Sequence, residues 1–265
     1  MRNLLRAESY FIKRDTMFKG ISLLFLIASL VLAFWIGSKG GFEVANLAEP
    51  LTIVMPLSIF FYFIIPIYIC FFSTEGFEYG SIKVILASGQ SRFIYITGKY
   101  LSALKIIVWW MLQFTGVFYL TYMIAALIIG NDIGNRNLNA DLIQVSRVLG
   151  LNILYLSAYA TLIIMVGLII KRTASAVVAT FLIIFGDFMI SGYFRDASST
   201  WLRAVSDHAL TTQVMKFSGI YVVNSQHIVL TGAKDFMEVL LIPVIIIAIS
   251  LSVTYISFGK RDIHA

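Results

Sequence analysis

One acidic residue lies inside an apolar stretch of this chain, where a charged group is costly. Asp187 is flanked by Phe185-Gly186 and Phe188, and no other charged residue occurs from Ala174 to Tyr193. A carboxylate in such a position is a candidate for handling an ion or a substrate. The alternative is a structural carboxylate, paired with a polar neighbour or reaching water, because the other apolar stretches hold no comparable acid.

The chain lacks the residue patterns of nucleotide hydrolysis and of metal binding. A phosphate-binding loop needs Gly-x-x-x-x-Gly-Lys-Ser/Thr, whereas Gly98-Lys99-Tyr100 lacks both the upstream glycine and the hydroxyl that holds magnesium. The three histidines, His208, His227 and His264, are widely spaced and match no metal-binding pattern. Since no catalytic pair is visible either, we expect a chain that is not an enzyme and holds no cofactor of its own.

Six continuous apolar stretches indicate the fold class. Each is long enough to cross a hydrocarbon core of roughly 30 Å as a helix that rises about 1.5 Å per residue. Continuous apolar runs satisfy their backbone polar groups in lipid only as helices, whereas barrel strands alternate apolar and polar residues. The predicted spans are Gly20 to Gly37, Leu51 to Phe72, Ser102 to Gly130, Val148 to Ile170, Ala174 to Tyr193 and Val239 to Phe258.

These spans predict an all-α integral membrane protein with one transmembrane domain over residues 1–265. An interfacial helix at 1–19 precedes a six-helix bundle at 20–258, and a cytoplasmic tail follows at 259–265. Composition supports this class, because 59% of the residues are hydrophobic and 13% are charged. An ordinary soluble domain has roughly 25% charged residues.

The basic residues indicate an orientation rather than a nucleic-acid partner. With a cytoplasmic N-terminus, the basic residues inside are Arg2, Arg6, Lys13, Arg14, Lys19, Lys83, Arg92, Lys99, Lys105, Lys171, Arg172, Lys260 and Arg261. Those outside are fewer: Lys39, Arg136, Arg147, Arg195, Arg203, Lys216 and Lys234. The positive-inside bias predicts a multi-pass plasma-membrane protein with both termini cytoplasmic. No basic stripe interleaved with aromatics points to nucleic acid, so anionic lipid is the expected partner of these charges.

The segment before the first span has the pattern of an amphipathic helix. Apolar Leu4, Leu5, Phe11 and Ile12 alternate with basic residues at helical spacing. We predict a helix that lies flat on the cytoplasmic surface with its basic face toward lipid phosphates. The alternative is a solvated basic tail.

The connection from Ser73 to Tyr100 is predicted to be the longest cytoplasmic one. Gly80-Ser81 can cap a helix through the serine hydroxyl, Ile82 to Ala87 can form a short helix, and Ser88-Gly89 can end it. Charged residues bracket an apolar middle: Glu75 and Glu78 come before, Arg92 and Lys99 come after, and Ile82, Val84, Ile85 and Leu86 lie between. This pattern favours a knob that docks into another protein, the alternative being a loop that folds back on its own bundle.

Two further features predict local structure. Pro56 and Pro66 lie in the second span and predict a bent helix, because each proline removes a backbone donor. The outer segment from Phe194 to Glu238 is too long for a simple link. Its apolar residues recur at about helical spacing, so we expect short amphipathic helices on or in the outer leaflet.

Taken in this order, these features resemble the permease subunit of a type-2 ATP-binding-cassette exporter, and the resemblance covers the whole chain. The resemblance rests on the N-terminal amphipathic helix, the six spans and three sequence motifs. These are Glu75-Gly76-Phe77-Glu78-Tyr79-Gly80-Ser81 running through Leu86 to Ser91-Arg92, then Gly98-Lys99, and the ending Phe258-Gly-Lys-Arg-Asp262-Ile263. The proline that the family usually has before the Ser-Arg pair is absent, and Gly89 stands nearby.

The resemblance implies that Gly80 to Gln90 form a coupling helix, which sits in a groove of a separate ATPase subunit. The implied coupling residues are Glu75, Glu78, Gly80, Ser81, Val84, Ile85, Leu86, Gly89 and Arg92. Two permeases, as a homodimer or a related heterodimer, would join two ATPase subunits that bind ATP and magnesium. Small bacterial systems of this kind imply an amphipathic substrate, with an antimicrobial or toxin peptide expected first, and drugs and lipids equally compatible.

Two copies are predicted to meet along the second and fifth spans and to enclose an apolar path. The predicted path residues are Phe60, Phe61, Phe63, Phe181 and Phe185, together with Asp187. The alternative for each ring is a lipid-facing or packing role. The rival function is a secondary transporter that an ion gradient drives through Asp187, and the third class, a membrane enzyme, lacks a visible catalytic pair.

Overall fold

Helices make up nearly all of the computed structural model, which describes residues 2–134, 137–195, 197–223, 226–227 and 233–260. The helices are α1 (Arg2–Arg14), α2 (Thr16–Gly40), α3 (Glu49–Val54), α4 (Phe61–Glu78), α5 (Ser81–Ala87), α6 (Arg92–Ile129), α7 (Leu138–Ile170), α8 (Thr173–Tyr193), α9 (Thr200–His208), α10 (Leu210–Phe217) and α11 (Ala233–Lys260). A 3₁₀ turn spans Met55–Phe60, and β1 (Val222–Val223) pairs with β2 (Gln226–His227). The predicted tail beyond Lys260 and the predicted outer charge Arg136 lie outside the described residues.

The described chain has six helices that are long and apolar enough to cross a membrane, so the predicted all-helical class with six potential spans is confirmed. Two spans differ most from their predicted bounds: α6 begins at Arg92 rather than Ser102, and α7 begins at Leu138 rather than Val148. Polar residues extend both helices, because a helix continues past the apolar stretch wherever its backbone bonds are satisfied. The connection predicted from Ser73 to Tyr100 therefore shortens to residues 79–91.

The second span is not one uniform helix. Pro56 lies in the 3₁₀ turn that separates α3 from α4, whereas Pro66 lies inside α4, which continues through it. Proline lacks the N–H of an α-helical bond and its ring crowds the carbonyl four residues earlier. Pro56 thus lies where the type of helix changes, whereas Pro66 does not interrupt its helix. The predicted bend itself stays a prediction.

Helices α4 and α7 form the interior of the bundle. More than half of the residues in their most apolar windows are buried, against about a fifth for α2, α8 and α11. An aromatic cluster joins three spans around Trp110 of α6, which is fully buried. Its ring centroid lies 4.9 Å from that of Tyr68, 5.1 Å from that of Phe18 and 5.6 Å from that of Phe25. The Trp110 indole donates to the Ser22 hydroxyl at 2.8 Å, which satisfies its polar atom.

Helix α1 is attached to the bundle by a buried ion pair. Lys99 Nζ of α6 lies 3.0 Å from Glu8 Oε1 of α1, donates to the Phe72 carbonyl at 3.2 Å and sits 3.9 Å from the Phe72 ring centroid. Leu4 packs one turn away over Gly98, where an added Cβ would come within 2.7 Å of Leu4 Cδ2. The segment is therefore a packed helix, and the alternative of a solvated tail is wrong.

We expect the free energy of unfolding to fall by about 3 kcal/mol or more in Glu8→Leu, because the variant leaves the Lys99 ammonium buried without its carboxylate. The double variant Glu8→Leu/Lys99→Met replaces both charges by apolar groups of similar size and should recover most of that loss. Denaturant unfolding of the full chain in detergent micelles measures both. A single variant as stable as the double variant would contradict the role of this pair.

Candidate functional site

The short helix α5 lies at one end of the bundle between α4 and α6, and we call this end the α5 end. It carries four of the nine predicted coupling residues, and the other five flank it. Gly80 precedes α5 with a φ of +65° and Gly89 follows it with a φ of +85°, both in the left-handed region that glycine adopts at little cost. The predicted serine cap is wrong: the Ser81 side chain caps no backbone N–H of α5, and its hydroxyl donates to the Gly76 carbonyl at 3.4 Å. Gly80 itself makes the turn.

The apolar residues of α5 divide between the interior and the surface. Ile82 is 1% exposed and touches Gly76, while Ile85 and Leu86 are half-buried against the core. Val84 is 71% exposed and points away from the bundle. One side of α5 therefore packs on its own bundle, as the alternative interpretation expects, and the other side is exposed. Docking into another protein stays a prediction.

The charged residues that flank α5 contact neighbouring helices. Glu78 Oε2 accepts a hydrogen bond from the Thr173 hydroxyl at the start of α8, at 2.6 Å. Arg92 Nη1 donates to the Phe258 carbonyl near the end of α11, at 3.0 Å. These bonds join the two ends of the α5 connection to the helices of the fifth and sixth predicted spans.

An acidic cavity of about 470 Å³ opens beside α5 among α2, α4 and α8. Asp15, Glu75 and Glu78 line it, and the Tyr68 hydroxyl donates to Asp15 Oδ2 at 2.7 Å. Within the described residues, no lysine or arginine lies at ion-pair distance from these three carboxylates. The cavity therefore has a negative potential that attracts cationic groups.

Sequence reasoning missed Asp15 and Tyr68. A usable signal was present, because an aspartate directly before a long apolar run is a typical helix N-cap. Asp15 Oδ1 does accept from the Met17 amide at 2.8 Å at the start of α2. The second bond, from Tyr68, depends on the packing of α4 against α2 and has no sequence signal.

Asp187 lies at the opposite end of the bundle, the α9 end, where its carboxylate caps another helix. Oδ2 accepts from the Tyr159 hydroxyl at 2.5 Å, the Thr211 amide at 2.8 Å and the Thr211 hydroxyl at 2.6 Å. Oδ1 accepts from the Leu210 amide at 3.1 Å. The first amides of α10 have no partner within their own helix. A carboxylate at this position accepts their hydrogen bonds and interacts favourably with the positive end of the helix dipole. The Asp187 carboxylate is thus paired with polar neighbours, as the alternative of a structural carboxylate expects.

Further polar contacts hold α9 and α10 against α8. The hydroxyls of Ser191 and Thr212 hydrogen-bond at 2.7 Å, and the Ser206 hydroxyl donates to the Ser191 carbonyl at 3.0 Å. The outer segment does contain short helices, as expected. Sequence reasoning missed Tyr159 and Thr211, because nothing in their spacing links them to Asp187.

The structure separates the predicted path residues into interior and surface groups. Phe61 is 1% exposed, with ring centroids of Phe25 and Phe114 at 5.1 Å and 5.2 Å. Phe61 is therefore enclosed within a single chain, and its place on a path stays a prediction.

The remaining path residues lie at or near the surface. Phe63 is half-buried and packs on Phe188, with 6.0 Å between the ring centroids. Phe60, Phe181 and Phe185 are exposed, and the last two rings stack at 5.3 Å. The structure therefore brings Phe181 and Phe185 together on α8 and leaves the role of the set in transport a prediction.

Comparison with protein-family models and with curated proteins gave no match for this chain. What the fold defines is a helical protein with six helices long and apolar enough to cross a membrane. Any narrower assignment rests on the residues described above.

We expect Asp187→Ala to lower the free energy of unfolding by about 3 kcal/mol, because four hydrogen-bond donors lose a charged acceptor. Asp187→Asn should cost about 1 kcal/mol, since its amide oxygen still accepts from the start of α10. Unfolding of the full chain in detergent, with hydrogen exchange at the α10 amides, measures both.

The matched control is Asp207→Ala. Asp207 is an exposed acid, and its carboxylate lies 3.8 Å from Lys216 Nζ, so its removal should change stability by less than about 0.5 kcal/mol. Equal effects of Asp187→Ala and Asp207→Ala would rule out the capping role.

Proposed function

We propose that this chain is the transmembrane subunit of an ATP-driven exporter of the ATP-binding-cassette type in a bacterial plasma membrane. It moves an amphipathic substrate, such as an antimicrobial or toxin peptide, by alternating access that a separate ATPase subunit drives. The single observation that carries the proposal is α5, which is anchored by Ile82 and exposes Val84 in a chain whose sequence lacks a nucleotide-binding motif.

The proposal assigns each end of the bundle to one side of the membrane. The positive-inside bias favours a cytoplasmic α5 end, with α1 at the inner interface, α5 as the coupling helix and both termini cytoplasmic. Helices α9 and α10 then lie outside. ATP and magnesium bind the partner ATPase, and this chain needs no cofactor for its part.

The contacts of α5 suit a mechanical link. Ile82 is held against Gly76, so force applied at Val84 passes into α4. The bonds from Glu78 to Thr173 and from Arg92 to Phe258 carry it to α8 and α11. A docking interface concentrates its binding energy in a few buried side chains, and an exposed valine on a rigid short helix is suited to be one of them.

Helix α8 supports the proposed pairing of two permeases. Fewer than a fifth of the residues in its most apolar window are buried in one subunit, and the stacked Phe181 and Phe185 lie on it. A second copy, or a related permease, would cover this face and complete an apolar path with Phe60 and Phe63. Six spans from each of two chains then enclose the substrate.

The rival secondary transporter has weaker support. It needs Asp187 to bind and release an ion, whereas the Asp187 carboxylate accepts four hydrogen bonds from Tyr159, Leu210 and Thr211. Releasing those donors during each transport cycle would leave the first amides of α10 without their acceptor.

The coupling role is tested with Val84→Asp, because Val84 does not take part in the core. The full chain is purified from membranes of its host, and the co-purifying protein is analysed for a chain with a phosphate-binding loop and for ATPase activity. We expect at least a tenfold loss of bound ATPase, since a charge replaces an apolar side chain in the interface.

Trp201→Asp provides the control, because Trp201 is also 71% exposed but lies on α9 at the other end. It should leave ATPase binding unchanged. Retention of the ATPase by Val84→Asp, or transport under a proton gradient by a purified protein without any ATPase chain, would refute the proposal.

Asp187→Asn separates the proposal from its rival. An ATP-driven exporter should keep substantial transport in this variant, because capping survives without the charge. The measurement is the resistance of cells to cationic amphipathic peptides, beside ATP hydrolysis by the purified complex. Complete loss of transport in a folded variant that still hydrolyses ATP would favour the ion-driven mechanism.

A further inference from the structure

A basic groove of about 680 Å³ lies between α1 and α6 at the α5 end. Its cationic residues are Arg2, Arg6 and Lys13 of α1 and Lys105 of α6. We propose that this groove binds the headgroup of an anionic phospholipid, with the phosphate among the four cations and the acyl chains along α6. The proposal does not depend on the transport function.

The spacing of the three α1 cations places them on one face of the helix. Positions 2, 6 and 13 differ by four and seven residues, which are the intervals at which an α-helix returns to the same side. Glu8 lies on another face, where it is buried against Lys99. The helix therefore directs its acid into the bundle and its bases into the groove.

Charge in the groove is unbalanced. Among the described residues, no carboxylate lies at ion-pair distance from Arg2, Arg6, Lys13 or Lys105. Four cations around one cavity repel each other and attract an anion, and basic pockets beside spanning helices at the cytoplasmic interface are a recognised type of lipid-headgroup site.

Lys105 gives the strongest argument for a bound anion. It is exposed on α6 inside a helix apolar enough to span a membrane, and its Nζ reaches the Ser9 hydroxyl only at 3.3 Å. A lysine near the end of a spanning helix directs its ammonium to the interface, where an opposite charge stabilises it. A lipid phosphate at this depth supplies that charge, and Ser9 adds a further polar contact.

The surface next to Lys105 is suited to acyl chains rather than to a free anion. Trp109 and Leu112 follow Lys105 at intervals of four and seven residues, on the same face of α6, and both are exposed. Leu5 and Tyr10 form an apolar part of the groove wall. A cationic pocket that continues into an apolar stripe matches an amphiphile with an anionic head.

The test measures lipid binding to the full chain in detergent micelles by native mass spectrometry. Phosphatidylglycerol and phosphatidylcholine with identical acyl chains are titrated separately, and inorganic phosphate is added as a competitor. We expect at least tenfold tighter binding of phosphatidylglycerol than of phosphatidylcholine, with no displacement by phosphate at equal concentration.

Arg6→Gln/Lys105→Gln should weaken phosphatidylglycerol binding about 30-fold, because each basic residue near a lipid headgroup contributes about a factor of five or more. Lys19→Gln/Lys39→Gln removes two charges outside the groove and should leave binding within about twofold of the wild type. The charge-preserving variant Lys105→Arg should bind as the wild type does.

Three results would overturn the proposal. Equal binding of the two lipids by the wild type would mean ordinary lipid solvation, and this comparison needs no variant to fold. Displacement of the lipid by inorganic phosphate would mean a free-anion site. Equal losses in the groove variant and in the control variant would mean a general effect of net charge.

Discussion

The attachment of α1 to the bundle depends on one buried ion pair, and the α5 end is arranged around it. Lys99 contacts Glu8 of α1 and the carbonyl and ring of Phe72 in α4, so a single ammonium joins three elements. A buried charge without these partners would be strongly destabilising, which restricts α1 to one position. With α1 in that position, its basic residues face Lys105 and its C-terminal end leads through Asp15 into the acidic cavity.

Polar bonds act together with apolar packing to hold the peripheral elements at both ends. At the α5 end, Glu78 bonds to Thr173 and Arg92 bonds to the Phe258 carbonyl, while at the α9 end Asp187 holds the start of α10. In a bilayer, lipid solvates apolar side chains as well as a neighbouring helix does, so hydrogen bonds and close packing decide helix positions. The proposed coupling mechanism uses these bonds, because they join the helices before and after α5 to two further spans.

The predictions that succeeded depend on composition along the chain, whereas the contacts of individual side chains could not be predicted from it. Six apolar runs are enough to predict six helices, since lipid allows few other backbone structures. Gly80 and Gly89 bracket α5 as expected. The role of Ser81 as a cap was wrong, because its hydroxyl found another acceptor. Phe61 packs between two other helices, and its place on a path stays a prediction.

By itself, the sequence determined the class of fold, the number of spans, the amphipathic first helix and the short helix between the second and third spans. These are local properties, set by hydrophobic periodicity and by turn residues. Only the tertiary structure decided which groups lie beside each charged residue. It places Glu8 beside Lys99, Asp187 beside Tyr159 and α10, and the cations of α1 in one groove with Lys105. Those pairings join residues far apart in the chain, and their energies depend on burial and distance, which no local pattern contains.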